Sequence, residues 1–191
     1  ISQIGEKGGK VLLPRPYYYS YLPLVKLAGM EPVFTDLING LIDFDDFKKK
    51  IEGCKAVIIN SPSNPTGRVE SIETLKKIEK ITNDMGIYVL SDEVYKDLIY
   101  NRENYLIKGR HVITVNSFSK TYNMCGLRIG YLWSLDREFV NEVIEMKSHT
   151  SMNTSILGQE MAYEAIKTPQ IFIDKQVKIW KERRDFIYKG L

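Results

Sequence analysis

The residues best suited to chemistry lie between positions 116 and 131, a segment that reads N-S-F-S-K-T-Y-N-M-C-G-L-R-I-G-Y. It contains one lysine with two serines before it and an arginine after it, at Lys120, Ser117, Ser119 and Arg128. A lysine that is shielded from solvent beside another cation keeps more of its uncharged amine, which attacks carbonyl carbons. Serine hydroxyls and a guanidinium bind phosphate oxygens. The segment therefore indicates a site for a phosphorylated aldehyde. The alternative interpretation is a loop lysine and a strand-edge arginine that bind no ligand.

Polar side chains with a fixed placement recur in two earlier segments. Residues 61–67 read S-P-S-N-P-T-G, a loop that holds Asn64 directly before a proline. Residues 91–95 read S-D-E-V-Y and include Asp92 and Tyr95. Each segment follows an apolar run of the kind that forms a buried strand, so each begins where a predicted strand ends. Taken alone, the first segment could be a generic turn and the carboxylate of the second a helix cap.

The elements that must position these side chains alternate between strands and helices. Short β-branched runs predict strands at residues 10–13, 32–35, 56–60, 87–90, 111–115 and 129–133, the first of them stopped by Pro14 and Pro16. Helical spacing predicts helices that end at Gly29, follow Asp43, run between Ser71 and Gly86, follow Asp136, hold Ile156 to Ile166 and follow Pro169. This alternation predicts an α/β fold with a mostly parallel sheet and helices on both faces. The strand ends of such a sheet meet in one crevice, which would collect the polar residues of all three segments.

Composition limits the classes of protein that this chain can represent. Its 191 residues are 43% hydrophobic and 27% charged, which suits a globular protein with one sizeable core, and because no linker divides it we predict one domain. The formal charge of +3 is spread along the chain, which argues against a nucleic-acid partner. The two cysteines and two histidines are not at metal-ligand spacing, and no apolar run reaches the roughly 20 residues of a membrane span. We therefore expect a cytoplasmic protein with free thiols, no bound metal and no membrane contact.

The three segments, in this order, resemble the class I/II aminotransferases, which are pyridoxal-phosphate enzymes of fold type I. The lysine segment carries the family's S-x-S-K and R-x-G pattern, and the other two resemble its N-P-T-G loop and its D-E-V-Y segment. The resemblance covers nearly the whole chain and implies the three-layer αβα large domain of that family, with pyridoxal 5′-phosphate as cofactor. The chain begins without Met and ends inside a predicted helix. We therefore expect that residues 1–191 are this domain in incomplete form, with the N-terminal segment and the C-terminal small domain missing.

The resemblance implies a role for each polar candidate around the cofactor ring. Lys120 would form the Schiff base with the cofactor aldehyde and then move the α-proton of the substrate. Asp92 would pair with the pyridine nitrogen and keep it protonated, and Asn64 and Tyr95 would hydrogen-bond the phenolic oxygen of the ring. Lys120, Asp92 and Tyr95 are therefore the expected catalytic residues.

The remaining candidates would hold the phosphate and the face of the cofactor ring. Ser117, Ser119 and Arg128 would bind the phosphate. The aromatic side chain that stacks on the ring in this family would be Tyr18, or Tyr17 if the alignment is offset by one residue. The alternative is that these tyrosine rings only pack on the sheet.

Transamination is the reaction that the resemblance predicts, between an L-amino acid and a 2-oxo acid, in a protein that is a homodimer when intact. The amino acid stays unassigned among aspartate, aromatic and aliphatic types. Three alternatives remain open: a carbon–sulfur lyase of the same fold, an inactive cofactor-binding fragment, and a nucleotide-binding doubly wound domain. The last of these lacks the G-x-G-x-x-G that would follow its first strand.

Overall fold

The computed structural model describes residues 1–101 and 103–191 and contains one seven-stranded sheet. Its strands are β1 (Lys10–Arg15), β2 (Glu31–Ile38), β3 (Leu41–Ile42), β4 (Cys54–Asn60), β5 (Tyr88–Asp92), β6 (Val112–Ser117) and β7 (Gly130–Ser134). They lie in the order β3-β2-β1-β4-β5-β6-β7. The pairs β1–β2, β1–β4, β4–β5 and β5–β6 are parallel, whereas β3 and β7 run antiparallel to their neighbours β2 and β6. The predicted mostly parallel sheet is therefore confirmed.

The first strand is longer than the sequence predicts. We expected Pro14 to stop β1, but the strand continues through it to Arg15, and Pro14 pairs with Thr35 of β2. The pairing of β1 with β4 runs only from Lys10 to Leu12. Proline is tolerated where a strand has no neighbour on one side, because its missing N–H then breaks no ladder there.

The described helices are α1 (Tyr21–Leu27), α2 (Phe44–Lys50), α3 (Ile72–Met85), α4 (Phe118–Thr121), α5 (Arg137–Thr150), α6 (Ile156–Ile166) and α7 (Gln170–Gly190). All of them except α4 lie where the apolar spacing and the capping residues predict them; α4 is a single turn that the sequence does not predict. The side chains of Asp43, Ser71 and Asp136 cap α2, α3 and α5 by accepting backbone N–H groups, which removes unpaired donors at each helix start. Gly86 ends α3 at a φ of 64°, which a residue with a side chain rarely adopts. Across residues 1–101 and 103–191, none of the helices combines the length and the apolar character needed to span a membrane.

Two hydrophobic clusters cover the two faces of the sheet. Alternate residues of β4 point to opposite sides, so Val57 belongs to one cluster and Ile58 to the other. The first cluster packs the sheet against α2 and α3 through side chains such as Phe47 and Leu75. The second packs it against α1 and α5, the latter through Phe139. Helix, sheet and helix thus form three layers, as the αβα prediction requires.

Candidate active site

All of the predicted site residues lie at one edge of the sheet. The carboxyl ends of the parallel strands β1, β4, β5 and β6 meet there, which is where open α/β sheets bind ligands. A cavity of about 310 Å³ lies at this edge. Its lining includes every predicted residue, namely Tyr18, Asn64, Asp92, Tyr95, Ser117, Ser119, Lys120 and Arg128. The structure therefore brings the eight side chains together, while their individual roles stay predictions.

Lys120 lies on α4, the single helical turn that follows β6. The hydroxyl of Ser117 caps this turn by accepting the backbone N–H of Ser119 at 3.1 Å. The Nζ atom of Lys120 lies 5.9 Å from the centre of the Tyr95 ring. Our expectation that Lys120 is shielded from solvent is wrong, because its side chain is exposed in this structure. The short helix buries Phe118 on its other side and presents the lysine to the cavity.

Asp92 ends β5, and its carboxylate already has two donors. Its Oδ2 atom accepts a hydrogen bond of 2.5 Å from the hydroxyl of Tyr21, and its Oδ1 atom accepts the backbone N–H of Val94 at 3.2 Å. Burial raises the pKa of Tyr21, and the negative charge of Asp92 raises it further, so the phenol stays protonated and keeps donating. Tyr21 also lines the cavity. Sequence reasoning missed this contact, since Tyr21 was one ring among several in a tyrosine-rich stretch.

Asn64 and Tyr95 are brought together by a second residue that sequence reasoning missed. The amide nitrogen of the Asn64 side chain lies 3.4 Å from the Tyr95 hydroxyl. The backbone N–H of Asn64 donates to the side chain of Asn60 at 2.8 Å, and Asn60 donates in turn to the backbone oxygen of Asp92 at 3.1 Å. Asn60, the last residue of β4, therefore ties the loop of residues 61–67 to the end of β5. Its place at a strand end was the available signal.

Arg128 lies before a strand, whereas Asp92, Asn64 and Lys120 lie at the end of a strand or after it. Because β7 is antiparallel to β6, with Ser117 opposite Gly130, the residues just before β7 lie at the same edge as the residues just after β6. Arg128 adopts a left-handed backbone with a φ of 53°, and its guanidinium donates to the backbone oxygen of Cys125 at 2.9 Å. The side chain is exposed. Most of its donors are therefore free to bind an anion.

The two serines differ in how free their hydroxyl groups are. Ser117 caps α4 and also donates to the backbone oxygen of Ile129 at 3.3 Å, so its hydroxyl hydrogen has a partner within the chain. The backbone of Ser119 supplies the N–H that Ser117 accepts, and its side chain lines the cavity. The side chain of Ser119 is thus the better placed of the two for an anion.

The choice between Tyr18 and Tyr17 for the stacking ring favours Tyr18 in this structure. Tyr18 lines the cavity of the other candidates, and its ring meets that of Tyr21 edge-on at 5.6 Å. Tyr17 instead stacks on Phe34 at 5.9 Å and lines a different cavity. An offset of one residue in the alignment is therefore not supported.

A second and larger cavity adjoins the first one at Lys120. It has a volume of about 510 Å³, and it shares Asn64, Tyr95, Ser119 and Lys120 with the first cavity. Its lining also includes two aromatic side chains, Tyr100 and Trp180, the second of which lies on α7. Lys120 therefore borders both cavities.

The chain is similar to known aminotransferases in both sequence and structure. A probable aspartate aminotransferase of Methanocaldococcus jannaschii is 35% identical over 97% of this chain and 52% of its own length. A mutant of the Thermus thermophilus aspartate aminotransferase has a TM-score of 0.94 at 27% identity, over 100% of this chain and 52% of that chain. The aromatic aminotransferase from Pyrococcus horikoshii has a TM-score of 0.92 at 31% identity, over 98% of this chain and 53% of that one.

The chain spans about half the length of the curated relatives that it matches. Within that half the likeness is continuous, since the family model described as aminotransferase class I and II matches residues 1–191. The order of strands, the cavity at their carboxyl ends and this full-length match agree with one another. This chain belongs to the aminotransferase class I and II family.

Proposed function

We propose that the intact protein is an aminotransferase that moves an amino group between an L-amino acid and a 2-oxo acid. We also propose that residues 1–191 form its large domain in incomplete form, with an N-terminal segment and a C-terminal small domain outside this chain. Relatives of this chain support both points, because they are named aminotransferases and are about twice as long as this chain.

Members of this family use pyridoxal 5′-phosphate, and the donor set of this chain fits that cofactor. Asp92 is an anionic acceptor suited to a protonated ring nitrogen, and Arg128 is a cationic donor suited to a phosphate. Lys120 is an amine suited to an aldehyde. All three side chains line the same cavity of about 310 Å³. This shared cavity is the observation that carries the proposal.

The bound cofactor supplies an aldehyde that bonds to amines and a ring that takes up the electron pair left on the substrate carbon. The chain itself has to hold and move protons around it. Asp92 holds a proton at the ring nitrogen, and the short hydrogen bond from Tyr21 keeps that carboxylate in one orientation. The exposed Nζ atom of Lys120 is the base that accepts the substrate proton and returns it. Asn64 and Tyr95, 3.4 Å apart, can donate to one acceptor oxygen.

The binding residues fix the position of the ligand and leave the proton transfer to Lys120. Arg128 and Ser119 hold the phosphate, and Ser117 supports them by capping α4 and by donating to the strand start at Ile129. Tyr18, whose ring is already packed edge-on against a second tyrosine, covers one face of the ring. Holding the reacting groups in one geometry lowers the entropic part of the barrier.

We further propose that the intact protein is a cytoplasmic homodimer. Apolar side chains on α6 and α7 are widely exposed, including Leu157 at 72%, Phe172 at 58% and Phe186 at 82%. Large apolar side chains exposed on two successive helices support association with another chain. Cys54 and Cys125 are free thiols, which suits a reducing compartment. The substrate stays unassigned among aspartate, aromatic and aliphatic amino acids, because the relatives include aminotransferases named for each of these classes.

Covalent labelling tests the proposed function on this chain. Pyridoxal phosphate is added to the purified protein, the bond is reduced with borohydride, and the labelled peptide is mapped by mass spectrometry. We expect label on Lys120 and none in Lys120→Ala, while the matched variant Lys167→Ala, which loses an exposed lysine directly after α6, keeps it. Label that scatters over surface lysines and survives in Lys120→Ala would contradict the assignment of the site. On the full-length protein, an amino acid should yield more than one equivalent of its 2-oxo acid per enzyme only when an acceptor 2-oxo acid is present.

A further inference from the structure

Lys120 lies on a helix that is too short to hold its own position. The four-residue α4 is a single turn, and an isolated turn has little stability in water, so contacts with the rest of the fold must set its orientation. Phe118 and Thr121 are buried on its inner side, whereas Lys120 is exposed on the cavity side. Any contact that holds Thr121 therefore also holds Lys120.

The hydroxyl of Thr121 is held by the turn that follows β5. It donates to the Oδ2 atom of Asp97 at 3.0 Å, and the residue is only 5% exposed. The other carboxylate oxygen, Oδ1 of Asp97, lies 3.3 Å from the Nζ atom of Lys96. Because both oxygens of Asp97 have a partner, the carboxylate has little freedom to rotate away from the threonine.

That same turn carries two of the predicted site residues. It begins at Asp92 and includes Tyr95. The backbone N–H of Lys96 donates to the oxygen of Glu93 at 3.0 Å. The backbone N–H of Leu98 donates to the oxygen of Tyr95 at 2.9 Å. These backbone hydrogen bonds close the segment on itself, so it holds its side chains in a fixed relation to one another.

We propose that Asp97 is a positioning residue for Lys120, which it holds through Thr121 against the turn that carries Asp92 and Tyr95. The inference rests on the proposed function, because it assigns Asp97 to the geometry of the same site. Asp97 and Thr121 line a small cavity whose lining includes the buried Phe118 of α4 and does not include Lys120. Asp97 therefore acts on Lys120 through the helix and not by direct contact.

The test compares variants that differ by one hydroxyl or one methyl group. Thr121→Val removes the donor and keeps the shape of the side chain, whereas Thr121→Ser keeps the donor. Thr82→Val is the matched control, because Thr82 is a buried threonine of α3 whose hydroxyl donates to the oxygen of Ile78 at 2.8 Å. Two quantities are measured: the rate at which pyridoxal phosphate becomes borohydride-fixable on Lys120, and the amide hydrogen exchange of residues 118–124.

Thr121→Val should slow attachment at Lys120 by about tenfold or more, because misplacement of a reacting group by a fraction of an ångström has effects of this order. It should also speed amide exchange in residues 118–124. Thr121→Ser should restore both quantities toward the wild-type values. Thr82→Val should leave both unchanged even where it lowers overall stability. Asp97→Ala should slow attachment as Thr121→Val does, and the double variant should be no slower than either single one.

Equal attachment rates in the wild type and in Thr121→Val would overturn the inference, and so would an equal loss in Thr82→Val. A wild-type chain that forms no bond at Lys120 would instead contradict the proposed function. Amide exchange then decides the inference alone. Faster exchange in Thr121→Val that is reversed in Thr121→Ser supports the positioning role of Asp97. Unchanged protection of residues 118–124 overturns it.

Discussion

Removal of the Tyr21 hydroxyl is the perturbation whose size follows most directly from the structure. Tyr21→Phe keeps the buried ring and deletes the 2.5 Å hydrogen bond to Asp92. A hydrogen bond to a charged group contributes about 1.5–3 kcal/mol to folding, and the carboxylate would retain the backbone N–H of Val94. We therefore expect the free energy of unfolding to fall by about 1.5–3 kcal/mol at neutral pH.

The loss caused by Tyr21→Phe should become smaller at alkaline pH. Burial raises the pKa of Tyr21, and the charge of Asp92 raises it further, so the folded protein holds the phenol proton more tightly than the unfolded chain. Above the ordinary tyrosine pKa of about 10, the folded protein therefore binds more protons, and its stability falls as the pH rises, by up to about 1.4 kcal/mol per pH unit. The variant has no such proton, so the gap in stability between the two proteins should narrow in this range.

Urea unfolding of the wild type and the variant over a pH series measures both effects. Tyr19→Phe is the control, because Tyr19 is 77% exposed and lies two residues from Tyr21. We expect the control to match the wild type within a few tenths of a kcal/mol at neutral pH, as surface substitutions do. A gap for Tyr21→Phe that is near zero, or that stays constant above pH about 10, would refute the reasoning.

Two further substitutions test contacts away from the cavity. Tyr88→Phe removes a 2.8 Å hydrogen bond that lowers the pKa of Asp136. The stability lost at neutral pH should be about 1–2 kcal/mol, and the loss should become smaller as the pH falls from the ordinary aspartate pKa of about 4 through the lower pKa that Asp136 has in the folded protein, as urea unfolding over a pH series would show. Gly130→Ala would set a Cβ atom 2.6 Å from the backbone oxygen of Asn116, so β7 would have to shift away from β6. We expect a loss of about 1–3 kcal/mol, measured by urea unfolding against Gly126→Ala, whose added Cβ meets open space.

Each of these two substitutions has an outcome that contradicts its reasoning. A Tyr88→Phe protein whose loss is the same at acidic and neutral pH would mean that the phenol does not stabilise the ionised form of Asp136. Gly130→Ala and Gly126→Ala proteins of equal stability would mean that β7 can accommodate a side chain beside β6.

Much of the fold could be predicted from the sequence because its signals are local. The helix caps at Asp43, Ser71 and Asp136 act over three residues, and the structure has each of them where the sequence predicts it. The crevice could be predicted as well, since parallel strands put their carboxyl ends at one edge of a sheet. The antiparallel direction of β7 and the extension of β1 through Pro14 depend on neighbouring strands, which no local pattern reveals.

The residues of the candidate site could be predicted from the sequence, but the hydrogen-bond partners of those residues could not. Lys120, Ser117, Ser119 and Arg128 stand out by type and spacing, whereas Tyr18 and Tyr95 were candidates only through the resemblance to the aminotransferase family. The partners of those residues are chosen by the fold: Tyr21 meets Asp92 across 71 positions, and Asp97 meets Thr121 across 24. The exposure of Lys120 also follows from how α4 packs, because Phe118 occupies the buried side of the turn.

The antiparallel pairing of β6 with β7 has a consequence for the order in which the site is assembled during synthesis. Asn64 and Asp92 emerge before Lys120, after β4 and at the end of β5, two parallel strands that are joined by the crossover helix α3. Lys120 and Arg128 emerge later, on one excursion whose two flanking strands pair directly with each other. On the proposed roles, the part of the site that recognises the ring is translated first. The residues proposed to bind the aldehyde and the phosphate follow on one hairpin, formed by β6 and β7. Pairing of these two strands therefore brings Lys120 and Arg128 together in the nascent chain.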